Sequence, residues 1–198
     1  MSTINCKGTL IDLSTPKVMG IVNVTPDSFF DGGKLTNSDE IVRQVEKMLH
    51  DGAIFIDLGG YSSKPGVEFV SETEELNRVL PIVKLLLEKF PDILLSIDTF
   101  RSEVAKQAVE NGAAIINDIS AGLLDEKMLE TVANLQVPYI MMHMKGTPQT
   151  MQSLAKYEDL LKEMNFYFSV LIAKARSIGL NDIIIDPGFG FAKTMEHN

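Results

Sequence analysis

The chain has 198 residues, 45% hydrophobic and 23% charged, a composition that fits one globular domain. A formal net charge of −9, with no clustered basic face, excludes a duplex-binding surface, and Cys6, the single cysteine, excludes an intrachain disulfide or a cysteine-based metal cluster. No run reaches the ~18 apolar residues of a membrane span, and MSTINCKGTLIDL lacks a signal peptide's basic start and long apolar run, so a soluble, cytoplasmic protein with no nucleic-acid or membrane partner is expected.

Residues 4–17 read as a short hairpin ahead of the first parallel strand, placed to plug the N-terminal face of the sheet. From Val18 onward, short apolar runs alternate with helix-period segments. The candidate strands are Val18–Val24, Ile54–Leu58, Ile93–Thr99, Ala114–Ile119, Pro138–Met144 and Asp182–Asp186. Each is almost continuously apolar, the pattern of parallel strands covered on both faces. The first helix is expected from about Ser38 to Asp51, with Asn37 and Glu40 at capping-box spacing. The second starts at Ser71, with Glu74 in the same relation, and runs to about Phe90. Pro81 falls inside it and predicts a kink or a break. The third ends at Gly112, the fourth covers about Asp125–Leu135, and the fifth about Tyr157–Ile178.

Repeated β-then-α order defines an α/β protein with a parallel sheet, closed as a barrel or open and doubly wound. The first strand leads into Asn23-Val24-Thr25-Pro26-Asp27 rather than a glycine-rich phosphate turn, which favours the barrel. Six βα strands are present, whereas a closed barrel takes eight and roughly 250 residues.

Polar residues recur near the C-terminal ends of the apolar runs: Asn23, Asp57, Asp98, Asn117 with Asp118, His143 and Asp186. In a parallel barrel these ends converge on one mouth, where active sites of this architecture lie. Capping alone explains a single strand-end carboxylate better than it explains the recurrence. Neighbouring strand residues point opposite ways, so only one of Asn117 and Asp118 faces the mouth. Asp57 is expected to be structural, serving the Gly59-Gly60 turn, and His143 structural or supporting. Carboxylates accept paired N–H bonds and amides both donate and accept, a set suited to the edge of an aminopyrimidinone. The loops TPDSFFDGG (25–33), GGYSSKPG (59–66) and PGFGFAK (187–193) read as ligand covers, the second with hydroxyls and Lys64 for an anion.

Met19–Gly33, Asp57–Gly66, Ser96–Thr99, Ile115–Ile119, Met141–Gly146 and Asp186–Lys193 together resemble, in order, the dihydropteroate synthase family. The resemblance implies a TIM-type (β/α)8 barrel with an N-terminal β-hairpin, of which this chain carries six βα strands. It implies condensation of 6-hydroxymethyl-7,8-dihydropterin pyrophosphate with p-aminobenzoate, assisted by Mg²⁺ and blocked by sulfonamides. Asp98, Asn117, Asp186 and Met141 would hold the pterin, and Asn23 would contact the Mg²⁺. Ser63 and Lys64 would bind anionic oxygens, with Lys64 where the family more often has arginine. Phe29, Pro65 and Phe191 would flank the aminobenzoate, while Asp98, Asp31 and Lys64 would serve the chemistry. The family's later Lys-Ser strand end, its Arg-x-His segment and the helices of its homodimer contact find no match before Asn198. The expectation is therefore a piece of a longer barrel, inactive and without that dimer contact on its own.

Overall fold

A computed structural model describes residues 3–24, 34–61 and 70–198. Strands β1 (Thr3–Cys6) and β2 (Thr9–Asp12) form an antiparallel hairpin. Its turn residues Lys7 and Gly8 have φ of 55° and 84°, the primed geometry that matches the twist of the flanking strands.

Strands β3 (Val18–Asn23), β4 (Ala53–Gly59), β5 (Leu94–Asp98), β6 (Ile115–Asp118), β7 (Tyr139–Met142) and β8 (Ile183–Asp186) come next. They build one parallel sheet in sequential order. Helices α1 (Lys34–His50), α2 (Glu72–Lys89), α3 (Ser102–Glu110), α4 (Met128–Leu135) and α5 (Leu160–Ser177) alternate with them. All six expected parallel strands are present. Among the described residues β3 and β8 are the sheet edges, and Ile21 and Ile185 on them stay 62% and 53% exposed. No helix among the described residues is long and apolar enough to cross a membrane.

Alternation along the strands makes two cores. Val22, Ile56, Leu95, Ile97, Ile116 and Tyr139 face the helices and pack with Val79, Val83, Val104 and Val132. Phe55, Leu94, Ile115, Ile140 and Ile184 face the other way and meet Ile4, Cys6 and Ile11 of the hairpin. The hairpin thus plugs the N-terminal end, as the sequence suggested. Ile4 keeps only 5% exposure, and burying such a side chain stabilises by roughly 1.5–3 kcal/mol. The hairpin is also tied to the start of β8, because the Asn5 backbone N–H donates to Asp182 Oδ2 at 2.6 Å.

The helices depart from the sequence reading in four places, the simplest being α5, which begins at Leu160 behind an Asp159 cap rather than near Tyr157. Helix α1 begins at Lys34, so residue 37 lies inside the helix rather than at its N-cap; asparagine is only mildly unfavourable there. Helix α4 begins at Met128, because Asp125 is engaged in a turn, accepting from Lys127 N at 3.0 Å and from Ser102 N at 2.7 Å. Helix α2 runs unbroken through Pro81. Pro81 and Asn77, four residues before it, are both exposed, so water can satisfy the carbonyl that loses its helical partner. The Ser71 cap is as expected, accepting from Glu74 N at 3.2 Å, but the Glu74 carboxylate turns to Arg78 instead of closing the box.

Candidate active site

Aligned residues of parallel strands project to one side, so the register identifies the polar face. Asn23, Gly59, Asp98 and Asn117 are successive partners across β3 to β6. Gly59 leaves the gap in this rung. A Cβ there would stand 3.4 Å from Asp98 Oδ2 and 3.5 Å from Asn23 Oδ1, so the two oxygens converge over the one position without a side chain.

Below this rung, Asp57 shares the face of Gly59 two residues earlier on β4 and is 4% exposed. Its Oδ2 accepts from Asn117 Nδ2 at 3.0 Å. The expected role for Asp57, serving the Gly59-Gly60 turn, is not the observed one: strand alternation points its carboxylate inward, away from the turn. Asp57 Oδ1 and the hydroxyl of Ser96, its partner in register, are both buried and, among the described residues, have only each other to interact with.

The choice between Asn117 and Asp118 is settled by their partners. Asp118 points to the outer layer, where it accepts from Ser120 N and Oγ at 2.7 Å, Gly122 N at 2.8 Å and Tyr139 Oη at 2.6 Å. Asn117 stays half-buried on the mouth side with Asp57.

Electrostatically the face is acidic. Burial, and then the charges of Asp57, Glu75 and Asp118, hold the Asp98 carboxyl well above the usual carboxylate range. Burial also raises Asp57, opposed by the hydroxyl of Ser96 and the hydrogen bond from Asn117. Glu75 behind this face is paired with Arg101, which also donates to Val70 O at 2.6 Å and lies over the Phe100 ring at 4.9 Å. Acceptors dominate, so the face suits a ligand edge rich in N–H groups.

Asp186 ends β8 opposite Met142, half-buried, and its Oδ1 accepts from Gly188 N at 2.7 Å. The loop after it is fastened to the end of β7. His143 N donates to Asp186 O at 2.9 Å, and Lys193 Nζ reaches His143 Nδ1 at 2.9 Å, His143 O at 3.3 Å and Phe191 O at 3.0 Å. Burial, then the charges of Lys193 and Lys145, lower the His143 pKa to about 4, so the neutral ring accepts from the lysine at Nδ1. Burial lowers Lys193 itself to about 8, against the pull of Asp186.

Phe191 packs, partly buried, on a cluster that includes Ile119, Met142 and Met144. This corrects one expectation. Met141 is fully buried in the helix-facing core, out of reach of the mouth, and Met142 takes the mouth side. The run Tyr139–Met142 is apolar throughout, so its sequence held no alternation to say which methionine faces in. The sequence reading also missed Lys193, whose only signal was a cation closing a glycine-rich loop. Phe29, Asp31, Ser63, Lys64 and Pro65 lie outside the described residues. Among the described residues no group of three or more His, Cys, Asp or Glu could hold a metal ion.

This acceptor-rich mouth sits on a parallel (β/α) scaffold, and residues 19–198 match the family of pterin binding enzymes. A folic acid synthesis protein of Schizosaccharomyces pombe is 50% identical over 179 residues, 89% of this chain and 24% of that protein. The dihydropteroate synthase of Escherichia coli K12 is 44% identical over 194 residues, 97% of this chain and 68% of that protein. The crystal structure of Yersinia pestis dihydropteroate synthase in a sulfonamide drug complex superposes with a TM-score of 0.89 at 42% identity, covering 99% of this chain and 71% of that one. Within the pterin binding enzymes, this chain belongs to the dihydropteroate synthase family. It spans about a quarter of the S. pombe protein and about two thirds of the bacterial ones.

Proposed function

We propose that this chain forms the pterin-holding part of a dihydropteroate synthase of folate biosynthesis, acting in the cytoplasm. The reaction joins 6-hydroxymethyl-7,8-dihydropterin pyrophosphate to p-aminobenzoate. The carbon–oxygen bond to pyrophosphate breaks with its electron pair leaving on oxygen, the arylamine nitrogen bonds to that carbon, and the nitrogen sheds a proton. The observation that carries the reading is the convergence of Asp98, Asn117 and Asn23 on one acceptor-rich face around Gly59.

In this reading Asp98, Asn117 and Asp186 take the N–H-rich pterin edge, and Met142 lies against its ring in the place first assigned to Met141. An ionised Asp98 stabilises positive charge that builds on the ring as pyrophosphate departs. Its raised pKa means that positive charge on the ring favours the ionised form. Phe191, with Phe29 and Pro65, flanks the aminobenzoate, and the sulfonamide bound by the Y. pestis enzyme is consistent with a site for that ring. Ser63 and Lys64 meet anionic oxygens, and Asp31 orders the first loop over the site.

The donor set fits Mg²⁺ held jointly with substrate. Asn23 Oδ1 is an exposed hard oxygen at the mouth, and magnesium takes one or two protein oxygens with substrate phosphates rather than an all-protein cage. When bound, the ion supplies charge stabilisation to the departing pyrophosphate.

Isothermal titration of wild type and Asp186→Ala with the dihydropterin substrate and with the dihydropteroate product tests the edge assignment. Removing one acceptor from a buried N–H pair should weaken both ligands by about 10- to 100-fold. Equal affinity for the two proteins would overturn it.

A further inference from the structure

We infer that Asp57 is a positioning residue that fixes which edge of the Asn117 amide faces the ligand. The inference rests on the pterin reading for what that ligand is, but the geometry stands without it. A side-chain amide has a carbonyl and an NH₂ of nearly equal size, and a free asparagine at the mouth could present either. An ionised carboxylate only accepts. The bond from Asn117 Nδ2 to Asp57 Oδ2, at 3.0 Å, therefore ties the NH₂ down and turns Oδ1 away from Asp57. Asn117 then offers the ligand an acceptor, in keeping with the Asp98 carboxylate beside it in the same rung.

Asp57 is a poor choice if stability were its only purpose. It is 4% exposed, and burial raises its pKa in spite of the groups beside it. Besides Asn117, the only side-chain donor near it among the described residues is the Ser96 hydroxyl across the register, which meets no other partner. A buried carboxylate met by so few side-chain donors is a net cost to the fold, and a neutral side chain would carry less of it. What an ionised carboxylate does that asparagine cannot is refuse to donate, and in that form Asp57 leaves Asn117 a single orientation. Asp57 touches no ligand in this scheme and acts only through Asn117.

A double-mutant cycle on the full chain tests this, with 6-hydroxymethylpterin as the titrated probe. Asp57→Asn should weaken binding about 10- to 100-fold in the native background, the range for an unmatched buried polar pair. In an Asn117→Ala background the same change should move the affinity less than about threefold, because the residue it acts through is gone. Equal losses in both backgrounds would overturn the inference and leave Asp57 a purely structural residue. The wild-type protein supplies a second measurement that needs no variant and no ligand. In its amide spectrum, one Asn117 Hδ2 should be shifted downfield and protected from water exchange. Two equivalent, rapidly exchanging protons would also overturn the assignment. Failure of the wild type to bind the pterin at all would refute the pterin reading, and the amide signal would then decide the role of Asp57 alone.

Discussion

Gly188 and Gly190 offer a matched pair, because both are left-handed glycines in the loop after β8. Their φ values are 67° and 80°. Around Gly190 nothing lies within 4 Å of where a Cβ would stand, whereas at Gly188 the His143 carbonyl oxygen would be 2.3 Å away and Met142 Cγ 3.0 Å away. Alanine at Gly190 should therefore cost only the left-handed conformation, about 1–2 kcal/mol. At Gly188 the same term applies, and the His143 oxygen must also retreat by roughly 0.7 Å to reach a tolerable contact. That oxygen accepts from Lys193, and the His143 N–H donates to Asp186, so the retreat strains both. Overpacking of this kind adds about 1–3 kcal/mol, for a total near 2–5 kcal/mol. In a domain of this size 1 kcal/mol moves Tm by about 2–4 °C. Gly190→Ala should then lower Tm by about 2–8 °C and Gly188→Ala by about 4–20 °C, with the second always the larger when both are melted side by side. Equal shifts would refute the claim that contact with His143, and not φ alone, demands glycine at 188.

Two further outcomes are expected of the same site. Between the ordinary pKa of 3.8 and its raised value, Asp98 binds its proton more tightly in the folded than in the unfolded chain, so its contribution is present below 3.8 and is lost as pH rises through the raised value. Asp98→Asn should therefore melt higher than wild type at pH 8, with the gap closing by pH 4; a gap of the same size at both would show that ionisation is not the cause. Lys193→Met keeps the stem but removes the bonds to His143 and Phe191. It should cost about 2–4 kcal/mol and speed hydrogen exchange at the Phe191 amide, which bonds Gly188 O; unchanged exchange there would show that the loop is held by something else.

The strands were legible because parallel strands covered on both faces must be apolar along their whole length, and each run ended in turn or helix signals. That same continuity hid the facing of single residues. Nothing in Tyr139–Met142 separates Met141 from Met142, and only the helix-side core and the Phe191 cluster tell them apart. Asp98, Asn117 and Asn23 could be picked from sequence because each is polar at a strand end, and the register then put them side by side. The partner of Asp57 could not be picked, since it lies 60 residues along the chain. Helix starts were misread where upstream backbone continued the helix, at Lys34, or where a side chain was captured by a neighbouring helix, at Asp125.

The hairpin that closes the N-terminal end governs the electrical character of the mouth. With Ile4, Cys6 and Ile11 packed on Phe55, Ile115 and Ile140, the space beneath Asp57 is hydrocarbon instead of solvent. Charges at the strand ends are therefore screened from one side only, and their mutual repulsion weakens less with distance than it would in water. A polar substitution at Ile4, far from any ligand, would let solvent in from below and relax the proton affinity of the carboxylates above it. The hairpin works as the insulating backplate of the site.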